Sequence, residues 1–167
     1  MEKLFENKYT RDKEWAKDVY GYIYFCRPVT IVLYVLFAVY AMIGIYSSIT
    51  SDNAAWYYIL IPVIWCAVTV FLYNKKVNAV IKRDLALHGK TIEVTVTAAE
   101  DRIKLSQSTG AEYELNYCDI KRVVQTRKYI YLWSKTNMSY SFKKNSFSCG
   151  DANEFLLFLR SKGVKVK

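Results

Sequence analysis

The residues of this chain with the most suggestive chemistry lie between Tyr117 and Trp133, in the stretch YCDIKRVVQTRKYIYLW. Four bases, Lys121, Arg122, Arg127 and Lys128, stand there beside Tyr117, Tyr129, Tyr131 and Trp133. Cations next to aromatic rings are what a nucleic-acid strand requires, the first for its phosphates and the second for stacked bases. A pair of ordinary strands with basic residues at their turn presents the same pattern. Catalytic groups are sparse. His88 is the single histidine. No acid or nucleophile stands at a telling spacing from it, so a Ser-His-Asp arrangement or a His-based metal site is disfavoured. Cys26, Cys66, Cys118 and Cys149 form no C-x-x-C pair and read as free thiols of a reducing compartment. No glycine motif for phosphate cradling or for a nucleophile elbow occurs. The expectation is a chain with no catalytic residue, no cofactor and no metal, and not an enzyme.

The elements that must position these residues follow from how charge is distributed. From Pro28 to Asn74 there is no Lys or Arg, and Asp52 is the only acid. Residues 1–27 carry six bases and five acids, and residues 75–167 carry 18 bases and nine acids. The formal net charge of +9 therefore resides in the carboxy-terminal part. The apolar block divides into Pro28–Ser48 and Ala54–Tyr73, each long enough as a helix to cross the roughly 30 Å hydrocarbon core of a bilayer. Neither has the polar stripe of a helix packed in a soluble core. The intervening ITSDN is long enough only for a tight turn, so residues 28–74 are expected to form a two-helix transmembrane hairpin. Arg27 precedes it, Lys75, Lys76, Lys82 and Arg83 follow it, and the turn has no base. The positive-inside rule then puts both termini in the cytoplasm, with the lipid bilayer as the first partner. No ionisable residue lies inside either span, which favours an anchor over a proton-coupled transporter. Pro62 predicts a kink in the second span.

Two segments flank the hairpin. In residues 1–27, FENKY alternates weakly enough to allow a short strand. TRDKEWAKDVYGYIYFCR then reads as a pre-span helix, capped by Thr10 or Asp12, with Trp15, Val19, Tyr22 and Cys26 on one face. Residues 75–90 are expected to be a juxtamembrane helix or linker. From residue 91 to 167 the apolar period changes to two. Ile92, Val94 and Val96 share a face, as do Ile103 and Leu105. Tyr113, Leu115 and Tyr117 are expected to point inward, and Ile130 and Leu132 face opposite to Tyr129, Tyr131 and Trp133. Met138, Tyr140 and Phe142 alternate with Ser139, Ser141 and Lys143. Ser148 and Asp151 give a capping-box pattern before a helix with Ala152, Phe155, Leu156 and Leu159 on one stripe, ending at Gly163. The fold class expected is a transmembrane hairpin plus an α+β cytoplasmic domain, an antiparallel bent sheet or partial barrel closed by a carboxy-terminal helix.

On these residues the chain resembles the YcxB-like family of bacterial two-span membrane proteins. The pattern is Y-x-D-I-x-x-V-x-x-T, then Y-x-Y-L-W, then F…EFLLFL. The matching positions are Asp119, Ile120, Val123, Thr126, Tyr129, Leu132, Phe147, Phe155 and Leu159, with Tyr117 where the family usually has Trp. Lys143 stands where the family often has Pro. The resemblance implies a carboxy-terminal domain similar to the pleckstrin-homology fold and a location in the bacterial cell membrane. It implies no activity.

Three functional readings follow. The first is a membrane-anchored interaction or sensing module that presents a basic domain at the cytoplasmic face. Lys75, Lys76, Lys82, Arg83, Arg127, Lys128, Lys143 and Lys144 are its candidate contacts with anionic lipid, and a protein partner or a second copy is its further ligand. The second is a bacteriocin-immunity or membrane-stress protein, which no residue selects. The third is nucleic-acid binding through Tyr117–Trp133, which is disfavoured. The loop in which pleckstrin-type domains bind inositol phosphates corresponds to Ala98–Asp101, AAED, where two acids precede a single Arg102. That composition counts against such a ligand.

Overall fold

The computed structural model describes residues 4–50, 56–136 and 138–166. The chain forms two compact units. One is Val19–Val80, and the other joins the residues up to Asp18 with those from Ile81 onward.

In the first unit a π-helical turn, Tyr22–Cys26, precedes α2 (Pro28–Thr50), and α3 (Tyr57–His88) follows, belonging to this unit as far as Val80. The helix α1 is Lys13–Gly21, ahead of the π turn. Pro28 opens α2 at the position where a missing N–H costs nothing. Both α2 and α3 are long and apolar enough to cross a membrane, and only 6% of the apolar window of each is buried. The two helices meet closely at Gly44, where a Cβ would lie 2.0 Å from Tyr58 Cβ. Tyr40 and Tyr58 pack at 4.8 Å between centroids, and Phe37 and Trp65 at 5.4 Å. The hydroxyls of Ser48 and Thr69 donate to the carbonyls of Gly44 and Trp65 four residues earlier, which satisfies them without water. The turn residues Ser51–Asn53, and Ala54 at the expected start of the second span, lie outside the described residues. The helix α3 passes through Pro62 and continues through the expected linker 75–90 as far as His88.

The second unit contains two antiparallel sheets that do not close into a barrel. One has the order β4-β3-β2-β1-β8 and the other β5-β6-β7. The strands are β1 Phe5–Thr10, β2 Glu93–Ala98, β3 Arg102–Gln107, β4 Glu112–Asn116, β5 Ile120–Gln125, β6 Tyr129–Ser134, β7 Ser139–Lys143 and β8 Phe147–Cys149. The sequence sets residues 1–27 apart from the domain, whereas the structure makes β1 an interior strand. It pairs with β2 from Phe5–Ala98 to Thr10–Glu93 and with β8 on its other side. Its inward positions are Phe5, Asn7 and Tyr9, and the asparagine among them blurs the alternation. Asn7 is fully buried. Its Nδ2 donates to the Lys143 carbonyl at 2.8 Å, and its Oδ1 accepts from the Lys143 N–H at 2.9 Å. A side-chain amide thus completes a backbone pair of β7 and ties one sheet to the other.

The apolar rows of β2 and β3 are buried as expected, with Val94, Val96, Ile103 and Leu105 inside. Tyr113 is not inward: it is exposed on β4, the last strand of its sheet, and the inward row there is Leu115 and then Tyr117 in a 3-10 turn. The spacing of Ile120 and Val123 is accommodated by a register shift between Ile120 and Arg122. Val123 is buried, while Ile120 is half-exposed. Residues Tyr129–Leu132 of β6 are all buried, so this strand is covered on both faces and does not alternate.

The helix α4, Ala152–Ser161, buries Phe155, Leu156 and Leu159. Asp151 is its N-cap residue, accepting from the N–H groups of Asn153 and Glu154. This corrects the expected capping box, because Ser148 belongs to β8. Phe155 touches Phe5, Phe142 and Phe147, so α4 gathers aromatic rings from both sheets. Gly163 has φ +78° and ends the helix, a conformation glycine adopts without steric cost.

Candidate functional site

Two turns build the site. Between β5 and β6, Thr126 N–H donates to the Tyr129 carbonyl at 2.9 Å, and Thr126 Oγ1 accepts from the Tyr129 N–H at 3.0 Å. This closed turn holds Arg127 and Lys128 at its tip. Between β7 and β8, Ser146 N–H donates to the Lys143 carbonyl at 3.0 Å. The Lys144 N–H donates to the Lys128 carbonyl at 2.8 Å, which knits the two turns together. Four of the eight predicted contact residues, Arg127, Lys128, Lys143 and Lys144, are thereby gathered at one end of the three-stranded sheet. The other four lie exposed on α3, with Lys75 and Lys76 in the hairpin unit and Lys82 and Arg83 in the sheet unit.

The amino-terminal helix supplies what the sequence did not reveal. Asp12 caps α1 by accepting from the Trp15 N–H at 2.8 Å. Trp15 Nε1 donates to Ser141 Oγ at 3.1 Å, and Tyr131 OH donates to Asp18 Oδ1 at 2.8 Å. Ser141 and Tyr131 are register partners on β7 and β6, so α1 lies across these two strands and covers their second face. Ahead of the helix, Arg11 lies over the Trp15 ring at 4.7 Å and pairs with Asp84 at 3.4 Å. The segment read from the sequence as a pre-span helix has its residues 13–18 packed on the sheet unit.

On this helix Glu14 reaches the basic turns. One carboxylate oxygen accepts a close hydrogen bond from Lys128 Nζ, and the other lies 3.5 Å from Lys143 Nζ. The Lys128 hydrogen bond, then the charges of Lys128 and Lys143, hold the Glu14 carboxyl below the usual carboxylate range. Lys13, Glu14, Lys17, Asp18 and Lys128 line a depression of about 470 Å³. Beneath α1 the tyrosines are shifted the other way. Burial pushes Tyr9 up to about 12, against a hydrogen bond with Ser141. Burial, followed by the charge and hydrogen bond of Asp18, raises Tyr131. Burial, followed by Asp12, Glu14 and Asp18, raises Tyr129, whose hydroxyl has no hydrogen-bond partner among the described residues. The Tyr129 ring packs between Tyr9 at 6.1 Å and Tyr131 at 5.8 Å.

The basic-aromatic stretch Tyr117–Trp133 has a different character in three dimensions. Tyr117, Tyr129 and Tyr131 are buried, and Tyr117 OH donates to the Ala99 carbonyl at 2.6 Å. Trp133 is half-buried with the Arg122 guanidinium 5.2 Å above its ring. Such rings pack a core and are not laid out as a platform for bases. The family-pattern residues are likewise core and turn. Val123, Tyr129, Leu132, Phe155 and Leu159 are buried, and Phe147 stacks on Phe142. Thr126 closes the turn, and Asp119 accepts the Lys135 N–H at its carbonyl. Next to the Ala98–Asp101 loop, Arg102 is engaged by Asp101 and Glu114, each at 3.0 Å. Among the described residues no three His, Cys, Asp or Glu side chains are grouped to hold a metal ion. None of the four cysteines forms a disulfide.

Lys13, Glu14, Lys17 and Asp18 were not singled out in the sequence. Their spacing on a helix reads as a solvated charged face, and only the fold brings that face to the two turns. Comparison with protein-family models, with curated proteins and with solved structures returned no match.

Proposed function

We propose that this chain is a membrane-anchored, non-enzymatic interaction module, whose sheet unit offers a basic end to an anionic surface. The observation that supports this most directly is the joining of Arg127, Lys128, Lys143 and Lys144 by two hydrogen-bonded turns, in a chain that also carries two long apolar helices. Four cations on rigid turns lose less conformational freedom on meeting an anionic surface than cations on a loose loop. In this proposal α2 and α3 form a two-pass hairpin in the bacterial cell membrane with both termini cytoplasmic, and the sheet unit is a YcxB-like domain of pleckstrin-homology type closed by α4. Anionic lipid of the inner leaflet is the surface it meets, at roughly 1 kcal/mol per base near the headgroups. A protein partner or a second copy would then be recruited at the membrane.

The test uses the full chain in vesicles, with a dye on Cys149 and serine at the other three cysteines. Quenching by lipid-borne quencher is expected to be stronger in vesicles with phosphatidylglycerol than in pure phosphatidylcholine, and to weaken with salt. Replacing Arg127, Lys128, Lys143 and Lys144 by glutamate should remove that lipid-dependent part. Quenching that is the same in both lipids and in the variant overturns the proposal.

A further inference from the structure

The depression beside α1 does not contain ammonium groups alone. Lys13, Lys17 and Lys128 share its wall with Glu14 and Asp18. Asp18 is held by Tyr131 OH. Glu14 is held by Lys128 within the depression and by Lys143 at its margin. Its place is not left to a flexible side chain on a loose segment, because the helix that carries it is fixed on both sides. Asp12 caps it, Trp15 bonds Ser141 and Asp18 bonds Tyr131. A carboxylate is thus built into the chain at the point where Lys128 and Lys143 would meet an external anion.

We infer that the depression lined by Lys13, Lys17 and Lys128 is a binding site for a phosphate group, and that Glu14 is its intramolecular occupant. An entering phosphate displaces the Glu14 carboxylate from Lys128 and gains Lys13 and Lys17 as additional donors. The exchange replaces the carboxylate by a group with more acceptor oxygens and, for inorganic phosphate, more charge. The contact it breaks is an exposed ion pair of the kind that is individually weak, so the mask is reversible. Binding and masking are linked in both directions. An anion that takes Lys128 and Lys143 from Glu14 removes one of the fastenings of α1. Anything that lifts α1 from β6 and β7 uncovers the two lysines. This deepens the proposed function by giving its basic end a regulated site, and it rests on that reading only for the source of the phosphate.

Lysine reactivity in the full chain tests it. Wild type and Glu14→Gln are placed in nanodiscs of phosphatidylcholine alone or with phosphatidylglycerol, with and without inorganic phosphate. Acetylation of Lys13, Lys17, Lys128, Lys143 and Lys144 is read by mass spectrometry. Glu14 is exposed, so the variant should fold, and unchanged amide exchange in β6 verifies this. In phosphatidylcholine, Lys128 and Lys143 are expected to react about two- to tenfold faster in Glu14→Gln than in wild type, in keeping with a weak surface pair. Inorganic phosphate should protect Lys13, Lys17 and Lys128 together, at a concentration several-fold lower in the variant. Equal reactivity of Lys128 in the two proteins overturns the mask. Absence of joint protection by phosphate in both proteins overturns the site. Protection by inorganic phosphate without any effect of phosphatidylglycerol supports the site and sinks the lipid-contact reading. Protection of Lys144 by phosphatidylglycerol, with Lys13 and Lys17 unaffected by either anion, supports that reading and sinks the site.

Discussion

A single amide side chain shows how much of this fold depends on individual polar residues. Asn7 is buried on the inward face of a strand, a position where an apolar residue would ordinarily give more stability. It is tolerated because both ends of its amide meet the backbone of Lys143, in the geometry one strand offers another. Replacing it by alanine leaves the Lys143 N–H without a partner, while the Lys143 carbonyl keeps the Ser146 N–H. A buried group left unpaired costs about 1–3 kcal/mol, so Asn7→Ala is expected to destabilise the sheet unit by about 1–3 kcal/mol. Urea unfolding in detergent, followed by tryptophan fluorescence, should show the midpoint fall with little change in slope. A loss below about 0.5 kcal/mol would show that water replaces the amide without penalty. Lys143 also carries one of the site's ammonium groups, so the residue that joins the sheets fixes part of the basic end.

At the scale of elements, the decisive pieces are those that come from before the hairpin. The strand β1 separates β2 from β8, and α1 covers β6 and β7 through Trp15 and Asp18. A fragment beginning at residue 81 lacks both. It would expose the β2 edge, strip β8 of its partner and open the buried tyrosine face of β6 to water, an invitation to aggregation. Residues 81–167 alone are therefore expected to give a collapsed or aggregated sample with poor amide dispersion in two-dimensional NMR. Residues 1–18 added by a flexible linker should restore a dispersed spectrum. A well-dispersed spectrum from 81–167 alone would show that β1 and α1 are accessories. The weak signal of β1 in sequence has the same root: a six-residue strand with asparagine at an inward position has too little alternation to declare itself.

At the scale of the molecule, the prediction concerns how the chain is disposed about a bilayer. Under the proposed topology a cysteine placed at Ser51, in the turn of the hairpin, is expected to react with a membrane-impermeant thiol reagent on intact cells. Native Cys149 should react only after the cells are broken. Cys149 is exposed on the sheet unit, so its protection in intact cells would come from the membrane and not from the fold. The reverse pattern would place the sheet unit outside and remove the inner leaflet as its partner.

The two long apolar helices, the periodic strands β2 and β3, the helix α4 and the turn at Arg127 were all legible in the sequence. Their signals are local: an unbroken apolar run, alternation every second residue, a helical stripe, or two bases between strands. Each depends on neighbours within one element. The rest depended on distance along the chain. Tyr129 and Tyr131 look like outward residues until α1, from more than a hundred positions earlier, lies over them. Tyr113 looks inward until its strand proves to be the last of its sheet. Glu14 looks solvated until the fold sets it between Lys128 and Lys143. By itself the sequence determined which segments are apolar enough for a membrane, which alternate as strands, and where the positive charge lies. Only the tertiary structure decided which charges meet, because an ion pair between residues far apart in the chain leaves no periodicity to read.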